Sequence, residues 1–150
     1  MKNLNHKGFT LLESLLVLLC VTISLIVPLI YLKNWKEQTE VGLFFNQLER
    51  DIQRTHQSAI IEGRECTIDQ ENTQNQLRFK YFHHGQVKIE CLKVEDPLKL
   101  RSSEPIKFNK GTGNIKKIET IKIEDRLNNQ AVLYKFQLGS GKVIRSEESL

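Results

Sequence analysis

Apolar residues along the chain fall into two regimes. From Phe9 to Leu32 they crowd together, and between Ser14 and Leu32 (SLLVLLCVTISLIVPLIYL) no charged residue interrupts them. That run matches the ~20 residues a helix needs to cross a bilayer core. After Trp35 the pattern turns amphipathic, with Val41, Phe44, Phe45, Leu48, Ile52, Thr55 and Ala59 recurring at steps of three and four, as one buried helix face requires. The two regimes predict one continuous helix from Phe9 to about Ile61, roughly 80 Å long at 1.5 Å per residue. Glu62-Gly63-Arg64 supplies the glycine expected just past its end. Pro28 falls inside the helix, where its ring removes a hydrogen bond to the Ser24 carbonyl and bends the axis.

Beyond Gly63 the period drops to two. Leu77, Phe79, Tyr81 and then Val87, Ile89, Cys91 alternate, with His83-His84-Gly85-Gln86 between them, which predicts a hairpin. Further strands are expected at Cys66 to Ile68, Ile106 to Phe108, Ile118 to Ile123 and Val132 to Leu138. The last turns through Gly139-Ser140-Gly141 into Lys142 to Ile144. A long helix followed by strands is an α+β arrangement, here a helix packed on a small antiparallel sheet. No internal repeat or low-complexity tract stands out.

Length and charge narrow the reading. At 150 residues the chain has room for one ordinary domain. Its formal charge is +4, but lysines and arginines are interleaved with acids from Lys33 to Arg145, so charge alone gives no nucleic-acid footprint. Of the three cysteines, Cys20 lies in the apolar block as membrane packing, and Cys66 and Cys91 lie on expected strands. On an exported protein that pair fits a disulfide; the alternative is two reduced thiols acting as small apolar residues.

The start of the chain carries the sharpest signal. A cleaved secretory signal would need a small-x-small site after the apolar run, yet Lys33-Asn34-Trp35-Lys36 follows it. Lipidation at Cys20 is disfavoured by the bulky Leu18 and Leu19 before it. A plain signal anchor accounts for Lys2, Lys7 and the apolar run but not for Glu13, an acid inside the segment whose burial in lipid is costly.

Lys7-Gly8-Phe9-Thr10-Leu11-Leu12-Glu13-Ser14 resembles the class III signal of type IV pilins, pseudopilins and competence pilins: basic residue, glycine, phenylalanine, Thr-Leu-Leu and glutamate at the family spacing, with the polar leader before the cut and the apolar helix after it. Within that family the chain looks most like the minor pilins of Gram-positive competence systems. The eight-residue leader, the segment Phe44 to Ala59 with Phe45, Leu48, Glu49 and Asp51, and the closing Phe-x-Leu-Gly-x-Gly at Phe136 to Gly141 carry this finer likeness.

The resemblance implies a leader at 1–8, a transmembrane and assembly helix at 9–35, and an exported pilin-like domain at 36–150 that includes the amphipathic half of the helix. It implies cleavage by a prepilin peptidase between Gly8 and Phe9, N-methylation of Phe9, and a meeting of Glu13 with the N-terminal ammonium of a neighbouring subunit. In that role Glu13 sets axial register, because an unpaired buried charge penalises every wrong offset. The implied partners are other major and minor pilins, the peptidase, and indirectly the assembly ATPase and its membrane platform. The implied location is a single pass through the cell membrane with the C-terminal domain outside, then a surface filament.

The remaining residues suggest no enzyme, cofactor or metal: no nucleophile with base and orienting acid, no phosphate-binding glycine loop and no paired metal-ligand spacing can be assembled. His83 and His84 read as turn residues. Three functions are open to such a chain: a minor pilin of a filament that takes up DNA in natural transformation, a pseudopilin of a type II secretion apparatus, and a surface DNA receptor acting through Lys107, Lys110, Lys116 and Lys117. The third would use phosphate contacts without reading sequence, against the plainer reading of those lysines as a solvated face.

Overall fold

The computed structural model describes residues 10–71, 74–101 and 104–150, with the side chains at 27–31, 33 and 34 also outside the description. The fold is α+β. Among the described residues helix α1 spans Leu11–Ile61 and is followed by eight strands: β1 Cys66–Glu71, β2 Gln76–His83, β3 Gln86–Lys93, β4 Leu98–Arg101, β5 Ile106–Phe108, β6 Thr120–Asp125, β7 Gln130–Phe136 and β8 Val143–Ser149. Two compact units divide at Glu40 and Val41, within α1.

In the second unit the expected amphipathic face is the buried one. Val41, Phe45, Leu48, Ile52, Thr55 and Ala59 are all buried, and Phe44 packs half-buried at the margin. Each large apolar side chain so buried contributes about 1.5–3 kcal/mol. The Thr55 hydroxyl is accommodated among them because it donates to the Asp51 carbonyl at 2.7 Å. Gly63 ends the helix with φ 62°, after Glu62 N–H closes on the Ser58 carbonyl at 2.9 Å.

The expectation of one small sheet is corrected: the strands form two four-stranded antiparallel sheets, ordered β3-β2-β1-β5 and β4-β6-β7-β8. Both face one apolar core, the first through Ile68, Leu77 and Phe79, the second through Leu100, Ile123 and Tyr134. Strand β4 is not among the expected strands; its alternating Leu98 and Leu100 are buried. Strand β6 starts at Thr120 rather than Ile118 because Ile121 and Ile123 point inward. Ile118 has the wrong parity to join them and is 65% exposed.

The hairpin β2–β3 turns on His84 and Gly85, at φ 51° and 75°, the positive values of a two-residue type I′ turn. The helix end anchors this hairpin. Beyond the reach of β1, Phe82 exposes a backbone N–H and C=O, and the Ser58 hydroxyl serves both, accepting at 2.9 Å and donating at 2.8 Å. The Glu62 carboxylate accepts from the N–H groups of His84 and Gly85 at 2.9 and 3.0 Å.

Two short loops share a local pattern. Phe108-Asn109-Lys110-Gly111-Thr112-Gly113-Asn114-Ile115 and Phe136-Gln137-Leu138-Gly139-Ser140-Gly141-Lys142-Val143 share one pattern and one conformation. Asn109 N–H bonds to the Asn114 carbonyl at 2.8 Å, as Gln137 N–H bonds to that of Lys142 at 2.8 Å. Gly113 N–H returns to Asn109 at 2.9 Å, as Gly141 N–H returns to Gln137 at 3.0 Å. The Phe108 and Phe136 rings pack at 5.9 Å, and both loops come close to His56 of α1: a Cβ added at Gly113 or Gly141 would fall 2.6 or 2.9 Å from its Nε2.

Among the described residues no helix is long and apolar enough to cross a membrane. The uninterrupted stretch with described side chains ends at Ile26, short of the ~20 residues a bilayer core demands. The transmembrane reading of 9–35 thus rests on the sequence run alone.

Candidate functional site

Gly8 and Phe9 lie outside the described residues. The helix start immediately after them is defined by Thr10. Its hydroxyl accepts from the Glu13 N–H at 3.3 Å and its carbonyl accepts from the Ser14 N–H at 3.2 Å, the geometry of a threonine N-cap with an acid three residues on. Glu13 is the acid of the first turn, where the helix dipole favours negative charge.

Around Glu13 the first unit presents an apolar surface on which none of the described residues packs. Leu11, Leu12, Leu15, Leu16, Val17, Leu18, Leu19, Val21, Ile23, Leu25 and Ile26 are all about half exposed or more. A contiguous patch of this extent exceeds what soluble monomers leave in water and marks an interaction surface. The hydroxyls within it are already paired: Thr22 donates to the Leu19 carbonyl and Ser24 to that of Cys20, each at 2.8 Å. Backbone-bonded hydroxyls of this kind are cheap to bury. The Glu13 carboxylate has no partner among the described residues, so it stands as the charged group that burial of this surface would leave to be paired.

The four lysines do not share one environment. Lys107 lies on β5 and points outward between buried Ile106 and Phe108. With Lys116 and Lys117 it lines a shallow cavity that also holds Glu65, Glu104 and Glu119. Lys117 is paired with Glu104 and, at 3.4 Å, with Glu119, and the Glu104 hydrogen bond holds its ammonium above the usual lysine range. Lys110 is exposed in the turn after β5 and is not part of that lining. A cation neutralised by adjacent acids, as Lys117 is, contributes little counterion release to phosphate binding.

The expected Cys66–Cys91 disulfide is contradicted. Both thiols are free, Cys66 buried and Cys91 exposed. Cys66 is on β1 and Cys91 on β3, with β2 between them. Their side chains leave opposite faces: Cys66 joins the core, whereas Cys91 pairs with the exposed Arg78. Neighbouring strands are about 4.8 Å apart, so the pair exceeds the Cα separation a disulfide tolerates. Alkylation of the folded protein should label Cys91 at least ten times faster than Cys66, measured by peptide mass spectrometry; equal rates would show that the packing around Cys66 is wrong.

Other polar clusters bracket the helix to the sheets. Arg54 donates to Glu90 at 2.7 Å, the Tyr81 hydroxyl donates to the same carboxylate at 2.5 Å, and burial together with that bond raises the Tyr81 pKa. On the other side Glu49 accepts from the Tyr134 hydroxyl at 3.0 Å and from Arg145 at 3.2 Å, while Arg145 lies 5.1 Å over the Phe45 ring. His83 and His84 sit at the hairpin tip with their rings 4.2 Å apart, as turn residues do.

No family model matches the chain, and no solved structure does. Among curated proteins, Competence protein ComGD of Streptococcus pneumoniae (strain ATCC BAA-255 / R6) is 27% identical over 143 residues, which cover 95% of this chain and 81% of that protein. The similarity is distant, and it runs through both the helix and the two sheets.

Proposed function

We propose that this chain is a minor type IV pilin of a competence system, a subunit that helps to assemble a surface filament serving DNA uptake in natural transformation. The observation that carries the reading is the apolar helix surface left exposed among the described residues, with Glu13, which has no partner among them, in its first turn. Lipid before assembly, and the helices of other subunits after it, would supply the missing burial. A carboxylate of this kind is costly in either setting until a cation meets it, and the new ammonium at Phe9 of a neighbouring subunit is the cation that processing would create. The distant similarity to ComGD supports competence over secretion as the system.

The reading places a prepilin peptidase cut between Gly8 and Phe9, where the polar leader ends and the apolar helix begins. Mass spectrometry of filaments sheared from competent cells should find the chain beginning at N-methylated Phe9. Cells lacking the peptidase should retain the full-length chain in the membrane and release none in filaments. A filament-borne chain starting at any other residue would remove the basis of the proposal.

A further inference from the structure

Strand β3 is the outer strand of its sheet, eight residues long and exposed over most of its length. On its solvent face Val87 and Ile89 are 50% and 59% exposed, and Cys91 beside them is exposed as well. These three share a face with Phe82, Lys80 and Arg78 of β2, their register partners. The opposite face of β3 carries Lys88 and Glu90. A long outer strand with an apolar solvent face can template the pairing of another strand.

We propose that the free edge of β3 docks a second copy of this chain, the two β3 strands pairing antiparallel across a two-fold axis at Ile89. The backbone restricts the register first. A two-residue hairpin loop closes on a hydrogen-bonded pair, here His83 with Gln86. Hydrogen-bonded pairs alternate along an antiparallel ladder, so Lys88 and Glu90 turn their backbone groups toward β2, while Val87, Ile89 and Cys91 turn theirs to the open edge. A symmetric partner can therefore set only odd-numbered residues opposite odd-numbered ones.

Three such registers keep most of the strand paired, and charge separates them. With the axis at Lys88 the two lysines oppose each other, and with the axis at Glu90 the two glutamates do. With the axis at Ile89, Lys88 faces Glu90 of the copy and Glu90 faces Lys88, while Val87 meets Cys91 and Ile89 meets Ile89 on the solvent face. Opposite charges and apolar pairs across strands stabilise a ladder, and like charges destabilise it. Glu90 already accepts from Arg54 and Tyr81; Lys88 of the copy approaches its carboxylate from the open edge. The contact is isologous and closes on itself, extending the four-stranded sheet to a continuous eight-stranded one.

The test is thiol cross-linking of the full-length chain carrying Cys20→Ser and Cys91→Ser, with copper–phenanthroline and dissolved oxygen as the oxidant. Ile89→Cys then puts two thiols opposite each other at the axis, at the ~5.5 Å Cα separation of a hydrogen-bonded pair, within disulfide reach. A cross-linked dimer is expected on a non-reducing gel. Lys80→Cys, exposed on the same face one strand inward, should stay monomeric. Adding Lys88→Glu to Ile89→Cys replaces both Lys–Glu contacts with Glu–Glu contacts and should lower the cross-linking rate about tenfold. Absence of dimer with Ile89→Cys, equal cross-linking of Lys80→Cys, or indifference to Lys88→Glu would each overturn the proposal.

Discussion

Glu13→Val should leave the chain in the membrane and lower its incorporation into surface filaments about a hundredfold or more. Removing a carboxylate from an apolar helix makes insertion easier, by at most the roughly 2.5–3.5 kcal/mol that an ionised acid costs at mid-membrane, since Glu13 lies in the first turn. The helix start survives, because Thr10 caps the backbone N–H of residue 13 rather than its side chain; only the first-turn charge effect of about 0.3–1 kcal/mol is lost. Assembly is another matter. In the packed filament the valine leaves a buried N-terminal ammonium without its partner, and breaking a buried pair from one side costs about 3–5 kcal/mol. Thr10→Ala is the discriminating control, since it removes the cap, worth about 1 kcal/mol, and keeps the carboxylate. Its incorporation should stay within a few-fold of the parent chain, measured on sheared filaments against total membrane protein. Equal losses in the two variants would assign the effect to the helix start and not to the charge.

The helix was legible from the sequence because two strong signals agree along it, an uncharged run and then a face repeating at three and four residues. Its buried positions were read almost to the residue, from Val41 to Ala59. The strands were legible where apolar residues alternate without interruption, as in Leu77, Phe79 and Tyr81. They were misplaced by about two residues where an isoleucine or leucine lies just off the period. Ile118 and Leu138 are both exposed, because parity, and for Leu138 the turn, decides the face rather than hydrophobicity.

The division into two sheets could not be read from strand propensities. It is set by non-local contacts such as those of Asn75, which sits at φ 48° beside the start of β2. Its side chain accepts from Leu100 N–H of β4 at 3.0 Å and donates to the Val94 carbonyl, tying the first sheet to the second. The cysteine pairing failed for a related reason. Spacing along the chain places both residues on strands, but which face each leaves depends on register with β2, and that puts them on opposite sides. Glu13 stands out in the sequence by its cost in an apolar segment. The β3 edge was missed because a strand's place at the outside of a sheet is a property of topology.

The repeated glycine loops give the largest expected effect on stability. Gly141→Ala should destabilise the folded chain by about 2–5 kcal/mol, while Gly139→Ala, two residues away in the same loop, should cost only about 1–2 kcal/mol. Both glycines have positive φ, 63° and 81°, and an added Cβ in that region costs about 1–2 kcal/mol in either case. Gly139 faces open space, so nothing further is lost. At Gly141 the new Cβ would lie 2.2 Å from the backbone oxygen of Gly113 and 2.9 Å from His56 Nε2. Backbone oxygen cannot rotate away, so the two loops must part, and overpacking of this sort adds about 1–3 kcal/mol or more. Gly113→Ala falls between the two, because its clashes at 2.6 and 2.8 Å are with the side chains of His56 and Ile60, which can shift. Adding His56→Ala should therefore recover part of the Gly113→Ala loss and little of the Gly141→Ala loss. Urea unfolding of the full-length chain in detergent, followed by circular dichroism, measures all five variants. Equal destabilisation by Gly139→Ala and Gly141→Ala would mean that the two loops do not touch.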